Sequence, residues 1–169
     1  RSVGVEAIGV RLRDGDDYPY YETRGFPQEF VVLENSLCLR APDSQVQLDG
    51  GGNPVLECMC GNVIAGRFDP AKPFFTRGGS FWTNSTTQLL ASTTEADRQA
   101  RTRNRCNGEG YESVALVPLV AGRERLGLLQ LNYHRGGQFP PESIAVWERL
   151  AGYLAVAVSK ARSEELLGR

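Results

Sequence analysis

The segment Ser113-Val114-Ala115-Leu116-Val117-Pro118-Leu119-Val120 is followed, after a short turn, by Leu126-Gly127-Leu128-Leu129-Gln130-Leu131-Asn132. Both stretches are rich in the β-branched and large apolar side chains that favour strands. The turn Ala121-Gly122-Arg123 between them contains the glycine typical of short hairpin connections. Two apolar strands joined by so short a turn predict a central antiparallel hairpin.

A long amphipathic helix is predicted after this hairpin, beyond Pro140-Pro141. Apolar side chains recur there at steps of three and four residues, which is the spacing of one helix face. These side chains are Ile144, Trp147, Leu150, Ala151, Leu154, Val158 and Ala161. Extended to Leu167, the helix has about 28 residues and a length of roughly 40 Å at 1.5 Å per residue. We expect residues 160–169 to lead into a connector helix of a longer chain; the alternative is a surface helix that frays.

The first third of the chain predicts strands and one short helix. Alternating apolar positions from Val3 to Leu12 predict a strand, with residues 18–23 as its hairpin partner. Helical spacing from Phe30 onward predicts a short helix that ends near Cys38, and Pro27 suits its first turn. Residues 40–54 are expected to form a loop or a loose hairpin tip.

The middle of the chain is harder to assign from periodicity. Residues 55–67 are apolar enough to be buried, and a helix is favoured there. Residues 81–83 predict an edge strand. Residues 92–105 predict a polar helix with Thr93 or Thr94 as its cap.

The composition of the chain limits the classes of protein to which it can belong. The chain has 169 residues, of which 41% are apolar and 23% charged, and this length fits a single domain over residues 1–169. Its formal charge of −1 offers no field that would attract nucleic acid. Without a signal segment or an apolar run of ~20 residues, the chain is expected to be a cytoplasmic domain with no membrane segment.

Taken together, these motifs resemble those of GAF domains. The resemblance rests on Ser113-Val-Ala-Leu-Val-Pro-Leu119, Leu126-Gly-Leu-Leu-Gln-Leu131, Phe139, and the run Ala145-Val-Trp-Glu-Arg-Leu-Ala151 followed by Ala155-Val-Ala157. The regions 58–63 and 103–110 resemble a cysteine-containing subgroup found in bacterial sensor histidine kinases. The helix that usually precedes the first strand is missing, which suggests a trimmed chain.

The resemblance implies an α+β fold and a sensory role. The expected architecture is a central antiparallel sheet of about six strands with flanking helices, a long C-terminal helix and a ligand pocket under the loops. The expected function is a regulatory domain of a signal-transduction protein, one that is not itself an enzyme. Its expected partners are a small-molecule or redox ligand, the output kinase domain of the parent chain, and a second copy in a homodimer.

Four cysteines, Cys38, Cys58, Cys60 and Cys106, all precede the hairpin. Four thiolates suit zinc or an iron–sulfur cluster, although Cys58-Met59-Cys60 matches no standard metal spacing and would diverge on a helix. Haem is an alternative cofactor, and a reversible disulfide from Cys58 or Cys60 to Cys106 is another use of the thiols. Free cysteines are also often plain buried apolar residues.

Several polar residues flank these cysteines in sequence. Trp82, Asn84, Asn104 and Asn107 are candidates to orient a ligand beside Cys58, Cys60 and Cys106, whereas the asparagines could instead serve turns and caps.

The charged residues of this region have a simpler interpretation. Four arginines, Arg98, Arg101, Arg103 and Arg105, could form an anion site. The helical spacing of Arg98, Arg101 and Arg105 favours instead a solvated helix face that could pair with Glu95. His134 is the single histidine, so a Ser-His-Asp site and a multi-histidine metal site are both ruled out or nearly so. A surface role is favoured for it over that of an axial haem ligand.

Two other functions remain open at this point. GAF-like free methionine sulfoxide reductases use cysteine chemistry, and this chain has enough thiols for that reaction. A ligand-free dimerisation domain, with its pocket filled by Phe81 and Trp82, is the third alternative.

Overall fold

A five-stranded antiparallel sheet forms the centre of the fold in the computed structural model, which describes residues 4–99 and 102–167. The strands are β1 (Ala7–Leu12), β2 (Tyr20–Arg24), β3 (Phe81–Thr83), β4 (Ser113–Ala121) and β5 (Glu124–Tyr133). Their order across the sheet is β2-β1-β5-β4-β3. The predicted α+β class and antiparallel sheet are confirmed, with five described strands in place of about six.

The helices of the described residues connect and flank this sheet. They are α1 (Gln28–Glu34), α2 (Cys58–Ala65), α3 (Thr86–Ser92), α4 (Glu95–Arg98), α5 (Arg105–Gly108) and α6 (Ser143–Leu167). The predicted helices near residues 30–38, 55–67 and 143–167 correspond to α1, α2 and α6. None of the described helices has the length and apolarity needed to cross a membrane.

The predicted central hairpin is confirmed, and the structure gives its register. Ala115 of β4 lies opposite Leu131 of β5, and β1 pairs with the other side of β5. The first strand was predicted from Val3; Val3 lies outside the described residues, and the observed strand starts at Ala7. The predicted partner strand and edge strand are present as β2 and β3.

Alternation along the strands divides the core into two layers. On one face, Ala115, Val117 and Leu119 pack with the buried side chains of α6. On the other face, Val114, Leu116 and Leu128 pack with α2 and the neighbouring loops. Because successive strand residues point to opposite faces, each of the central strands contributes to both layers. The sheet therefore lies between α6 on one face and α2 on the other.

The polar helix predicted over residues 92–105 is wrong. The chain instead forms three short helices, α3, α4 and α5, separated by extended or left-handed residues. Thr94 does cap α4 as predicted, through a reciprocal pair of hydrogen bonds with Asp97. Gln99, with φ of 66°, ends α4 after a single turn. Strong local caps have broken the helix that residue spacing suggested.

Residues 38–56 form a loose hairpin, as expected. Isolated bridges join Cys38 to Leu56, Arg40 to Val46 and Leu48 to Pro54, with no regular strand between them. Leu56 then leads directly into α2, so this hairpin delivers the chain to the start of the cysteine-containing helix.

Candidate functional site

A cavity of about 60 Å³ lies between the α2 face of the sheet and the segment that carries α3, α4 and α5. Its floor is made by Val114 and Leu116 of β4 and Gln130 of β5. Its walls come from α2 and from residues 86–107. We call this space the thiol cavity, after the cysteines that line it, which are Cys58, Cys60 and Cys106.

The backbone at the start of α2 explains how Cys58 and Cys60 share one cavity. Two residues apart on a regular helix, their side chains would point about 200° away from each other. Cys58 is the first residue of α2 and has a φ of 70°, which is the left-handed conformation that side chains seldom adopt. The helix has not yet become regular there, so both residues line the same space. Such unfavourable backbone conformations are concentrated at functional sites.

Cys106 reaches the cavity from α5 and is held by amides of the sheet. Its sulfur accepts hydrogen bonds from Asn132 Nδ2 at 3.5 Å and from Gln130 Nε2 at 3.7 Å. Gln130 Oε1 in turn accepts the hydroxyl of Tyr20 at 2.7 Å. Gln130 and Asn132 were not singled out from the sequence. Their signal was present, since both are polar residues at alternating positions of an otherwise apolar strand.

Two thiols of this cavity, Cys60 and Cys106, are held in the neutral form. Burial raises the pKa of Cys60 to about 12. Burial also raises the pKa of Cys106, and the neighbouring Cys60 and Cys58 raise it further because a second thiolate so close would be repelled. A thiol that stays protonated at neutral pH is a weak nucleophile.

Stability should therefore fall at alkaline pH. An unfolded thiol titrates near pH 8.5, so the folded protein holds the proton of Cys60 more tightly than the unfolded chain does. This contribution is complete below about pH 8.5 and is lost as the pH rises toward the folded pKa of about 12. We expect the Tm to drop between about pH 9 and pH 11, and Cys60→Ala to reduce the slope of Tm against pH. Thermal melts of both proteins across this range provide the test, and equal slopes would contradict it.

Cys38 lies apart from the other three cysteines. Its sulfur donates to the carbonyl oxygen of Asp16 at 3.4 Å, and burial raises its pKa to about 11. It does not line the thiol cavity. Among residues 4–99 and 102–167, no group of three or more histidine, cysteine, aspartate or glutamate side chains is placed to hold a metal ion. The metal site predicted from Cys38, Cys58, Cys60 and Cys106 therefore has no support in this arrangement.

Haem does not fit either. The thiol cavity, at about 60 Å³, is far below the roughly 300–1,000 Å³ of pockets that enclose drug-sized ligands. His134, the alternative axial ligand, lies outside the cavity, where its ring stacks on Tyr111 and its Nδ1 contacts the carboxylate of Glu6. The residues present suit a much smaller occupant.

Trp82 and Asn84 are not brought into the thiol cavity, which corrects the prediction that they contact the same ligand. Within β3, Phe81 faces the cavity and Trp82 therefore packs on the α6 side of the sheet. Asn84 holds the loop before α6 through two hydrogen bonds with Phe139. Its side-chain Nδ2 donates to the carbonyl oxygen of Phe139, and its Oδ1 accepts from the backbone N–H of Phe139. Both residues line a separate, open groove.

Asn104 and Asn107 do line the thiol cavity. Asn104 precedes α5 with a φ of 61°, the second left-handed non-glycine residue in the cavity wall after Cys58. Asn107 Nδ2 donates to the hydroxyls of Thr86 and Thr87, each at 3.0 Å, so it ties α5 to the start of α3. The amide of Asn107 thus supports the wall of the cavity as well as lining it.

The arginines of this region do not form a solvated helix face. Arg98 is 6% exposed and lines the thiol cavity. Arg103 and Arg105 both contact the buried carboxylate of Glu34, at 3.5 and 2.7 Å. Arg101 lies outside the described residues. The predicted solvent exposure of Arg98 is wrong because α4 ends at that residue and folds it inward.

Comparison with known proteins identifies the fold of this chain. No protein-family model matches the sequence, and no curated protein sequence matches it either. Among solved structures, a domain described as part of a two-component sensor histidine kinase from Sinorhizobium meliloti superposes with a TM-score of 0.60 at 12% identity, covering 99% of this chain and 88% of that one.

Two further structures show the range of proteins that share this architecture. The GAF domain of a phosphoenolpyruvate-protein phosphotransferase from Coxiella burnetii has a TM-score of 0.56 at 17% identity, covering 96% and 76% of the two chains. The free methionine-R-sulfoxide reductase of Neisseria meningitidis, in complex with its substrate, also has a TM-score of 0.56 at 15% identity, covering 96% and 72%. Identities this low establish the fold alone. The antiparallel sheet, its flanking helices and these superpositions show that the chain has the GAF fold.

Proposed function

We propose that this chain is a sensory domain that detects a small molecule or a change of redox state in the thiol cavity. The observation that carries the proposal is the convergence of Cys58, Cys60 and Cys106 on one cavity, with amide donors directed at the sulfur of Cys106. A purely structural core has no need to collect three thiols and polar amides in one place. The regulatory role itself is taken from the GAF fold.

The route from the cavity to α6 runs through the sheet. Val114 and Leu116 line the cavity, while the intervening Ala115 and the following Val117 pack against α6. A displacement of β4 by a ligand or by a new bond therefore also shifts the side chains of β4 that pack against α6.

A second connection joins the edge of the sheet to α6. Phe81 lines the cavity, and the preceding Ser80 donates its hydroxyl to the carboxylate of Glu148 on α6 at 2.5 Å. Thr76 donates to the same oxygen at 2.6 Å. The loop that positions Phe81 is thus anchored to α6 by two part-buried hydrogen bonds.

α6 is proposed to carry the signal to an output domain, such as a kinase, in a longer cytoplasmic protein. The helix runs to Leu167, and Arg162 still contacts the carbonyl oxygen of Arg13. Beyond that contact, Leu166 and Leu167 are 71% and 86% exposed. Exposed apolar residues at the end of a helix suit continued packing with a partner helix.

We further propose that the domain forms a homodimer through α6. Val146, Leu150, Tyr153 and Val156 are each at least 48% exposed and follow one another at three- or four-residue steps along the helix. Such a stripe is typical of a helix that packs against a symmetric copy of itself.

Oxidation of the intact domain tests the sensory proposal. Diamide is expected to link Cys106 to Cys58 or Cys60, the two thiols giving up their hydrogens and the diamide being reduced to the hydrazine. The new bond should change backbone amide exchange along α6, measured by hydrogen exchange with mass spectrometry, while peptide mapping identifies the disulfide. Because burial raises the pKa of both Cys60 and Cys106, the reaction should be slow at neutral pH and faster at pH 9.

A matched control separates cavity thiols from thiols in general. Cys38→Ser removes a buried cysteine outside the cavity and should leave the response of α6 intact, whereas Cys106→Ser should abolish it. An unchanged α6 in the oxidised wild-type domain, with the disulfide shown to be present, would overturn the proposal. A ligand-free dimerisation domain predicts that outcome, with dimerisation unaffected by oxidant.

An enzyme of the methionine sulfoxide reductase type is the second candidate, because the same three thiols share one cavity. In that reaction the sulfoxide oxygen leaves as water, the substrate sulfur is reduced, two cysteines form a disulfide, and an external thiol reduces that disulfide. The raised pKa of Cys106 opposes this function, since the attacking group should be a thiolate. Turnover of methionine sulfoxide with dithiothreitol that is lost in Cys106→Ser would establish it.

A further inference from the structure

Arg98 is a buried cation whose charge is not matched by a carboxylate among the described residues. It is 6% exposed, and its Nη1 donates to the carbonyl oxygen and the hydroxyl of Thr93 at 3.0 and 2.6 Å. Its Nε is buried without a hydrogen-bond partner. A buried charge is strongly unfavourable unless carbonyl dipoles or an opposite charge compensate it. The fully buried Arg11 has three carbonyl acceptors, whereas Arg98 has one carbonyl oxygen and one hydroxyl.

The other charges at the thiol cavity are already paired. Arg103 contacts the carboxylates of Glu34 and Glu57 at 3.5 and 3.1 Å, and Arg105 contacts Glu34 at 2.7 Å. Arg98 takes part in none of these ion pairs.

Thr102 provides a second unused donor in the same wall. Its Oγ1 is buried and has no hydrogen-bond partner, and both Thr102 and Arg98 line the thiol cavity. Glu34 Oε2 also lacks a hydrogen-bond partner, but it is ion-paired with Arg103 and Arg105. Buried polar atoms are nearly always satisfied in folded proteins, so the two unpartnered donors, Arg98 Nε and Thr102 Oγ1, indicate a missing acceptor. A guanidinium N–H and a hydroxyl together suit an anionic oxygen acceptor.

The rest of the cavity restricts what that anion can be. Leu89, Val114 and Leu116 form apolar wall opposite the polar atoms, and the volume of about 60 Å³ admits only a few heavy atoms. A planar carboxylate matches the donor geometry of a guanidinium. Phosphate would bring a larger charge than one arginine compensates, and it has no apolar part to contact the leucines.

We propose that the thiol cavity binds a short-chain monocarboxylate, with its anionic oxygens at Arg98 Nε and Thr102 Oγ1 and its alkyl end against Leu89, Val114 and Leu116. This proposal rests on the sensory function proposed above and names the class of ligand for it. The ligand offsets the charge of Arg98, which is why the cavity favours the bound state.

Binding of propionate to the intact domain tests the assignment. Isothermal titration and thermal melts should show that propionate binds and raises the Tm, while propanamide, the neutral molecule of the same shape, and inorganic phosphate do not. Arg98→Met should weaken propionate binding at least about tenfold, and Thr102→Val about threefold to tenfold. Arg123→Met, which removes an exposed arginine in the turn between β4 and β5, should leave binding unchanged.

Several outcomes would overturn the assignment. Equal binding of propanamide and propionate, or unchanged propionate binding in Arg98→Met, would remove the role of the charge. If Arg98→Met does not fold, Thr102→Val decides the matter, because it replaces a hydroxyl by a methyl of similar size. Failure of propionate to bind the wild-type domain would also overturn it.

The two proposals fail in different ways. If propionate does not bind but oxidation of the cavity thiols still alters α6, the ligand class is wrong and the sensory function stands. If propionate binds at Arg98 but neither propionate nor diamide alters amide exchange in α6, the cavity is a binding site without a sensory output.

Discussion

Replacing Gly127 with alanine is expected to destabilise the domain by about 3 kcal/mol or more. Gly127 pairs with Leu12 where β5 crosses β1, and a Cβ atom there would lie 1.8 Å from the backbone carbonyl oxygen of Arg11. Backbone cannot rotate away as a flexible side chain can, so the two strands must separate locally. The substitution would weaken the pairing of β1 with β5, which joins β1 and β2 to the rest of the sheet. Urea denaturation monitored by circular dichroism measures the change.

Gly152→Ala is the matched control. Gly152 lies within α6, and a Cβ atom there would meet nothing within 4 Å. Because alanine favours helix over glycine, this substitution should stabilise the protein by about 0.5–1 kcal/mol. Similar effects of the two substitutions would show that the approach of β1 to Gly127 is not as close as described.

Arg11→Met is expected to cost about 3–5 kcal/mol in the free energy of unfolding. Arg11 is fully buried, and its guanidinium donates to the carbonyl oxygens of Tyr18, Glu34 and Asn35 at 2.9, 2.5 and 3.0 Å. Two of these acceptors are at the C-terminal end of α1, where carbonyl groups lack helical partners and a cation is favourable. Methionine fills similar volume but removes the donor from all three carbonyl groups, of which that of Glu34 is buried and those of Tyr18 and Asn35 are part-buried.

The same substitution should also disturb the thiol cavity. The Arg11 guanidinium lies 3.9 Å from the ring centre of Tyr20, and the Tyr20 hydroxyl donates to Gln130, which contacts Cys106. Arg11 is therefore a positioning residue for the cavity floor. Faster alkylation of Cys106 by iodoacetamide in folded Arg11→Met would report this effect.

Arg13→Met is the control for Arg11. Arg13 pairs with Glu124 at 3.5 Å, and the two side chains are 46% and 44% exposed. Exposed ion pairs contribute about 1 kcal/mol or less, so this variant should be nearly as stable as the wild type. An Arg11→Met variant no less stable than Arg13→Met would contradict the structural role given to the buried guanidinium.

Much of the fold follows from local patterns in the chain. The β4–β5 hairpin was predictable because apolar strands flanking a short glycine-containing turn have few other stable arrangements. The helix α6 was predictable because its apolar side chains repeat at helical spacing over six turns or so. The cap at Thr94 was also correct, since capping depends on residues close in sequence.

The candidate site was only partly predictable. The resemblance to GAF domains led us to expect Cys58, Cys60 and Cys106 near one another. The separate position of Cys38 could not be predicted from the spacing of the cysteines in the sequence. Trp82 was misplaced because a three-residue strand shows no alternation long enough to reveal which side faces the cavity.

The burial of Arg98 is the clearest example of a feature that local sequence patterns predicted wrongly. The spacing of Arg98 from Arg105 indicated one exposed helix face, yet Gln99 adopts a φ of 66° and ends the helix directly after Arg98. Once the helix stops, the three- and four-residue period no longer describes where side chains point. Burial then depends on how the segment packs against β4 and α2.

The amino-acid sequence by itself determined the hairpin and the long C-terminal helix, because each depends on periodicity and turn chemistry within a short span of chain. The antiparallel class of the whole sheet was implied by the resemblance to GAF domains. Only the tertiary structure decided which thiols share a cavity, which cysteine stands apart, and that Arg98 is buried beside them. Those features depend on contacts between residues far apart in the chain, for which neither spacing nor local propensity carries information.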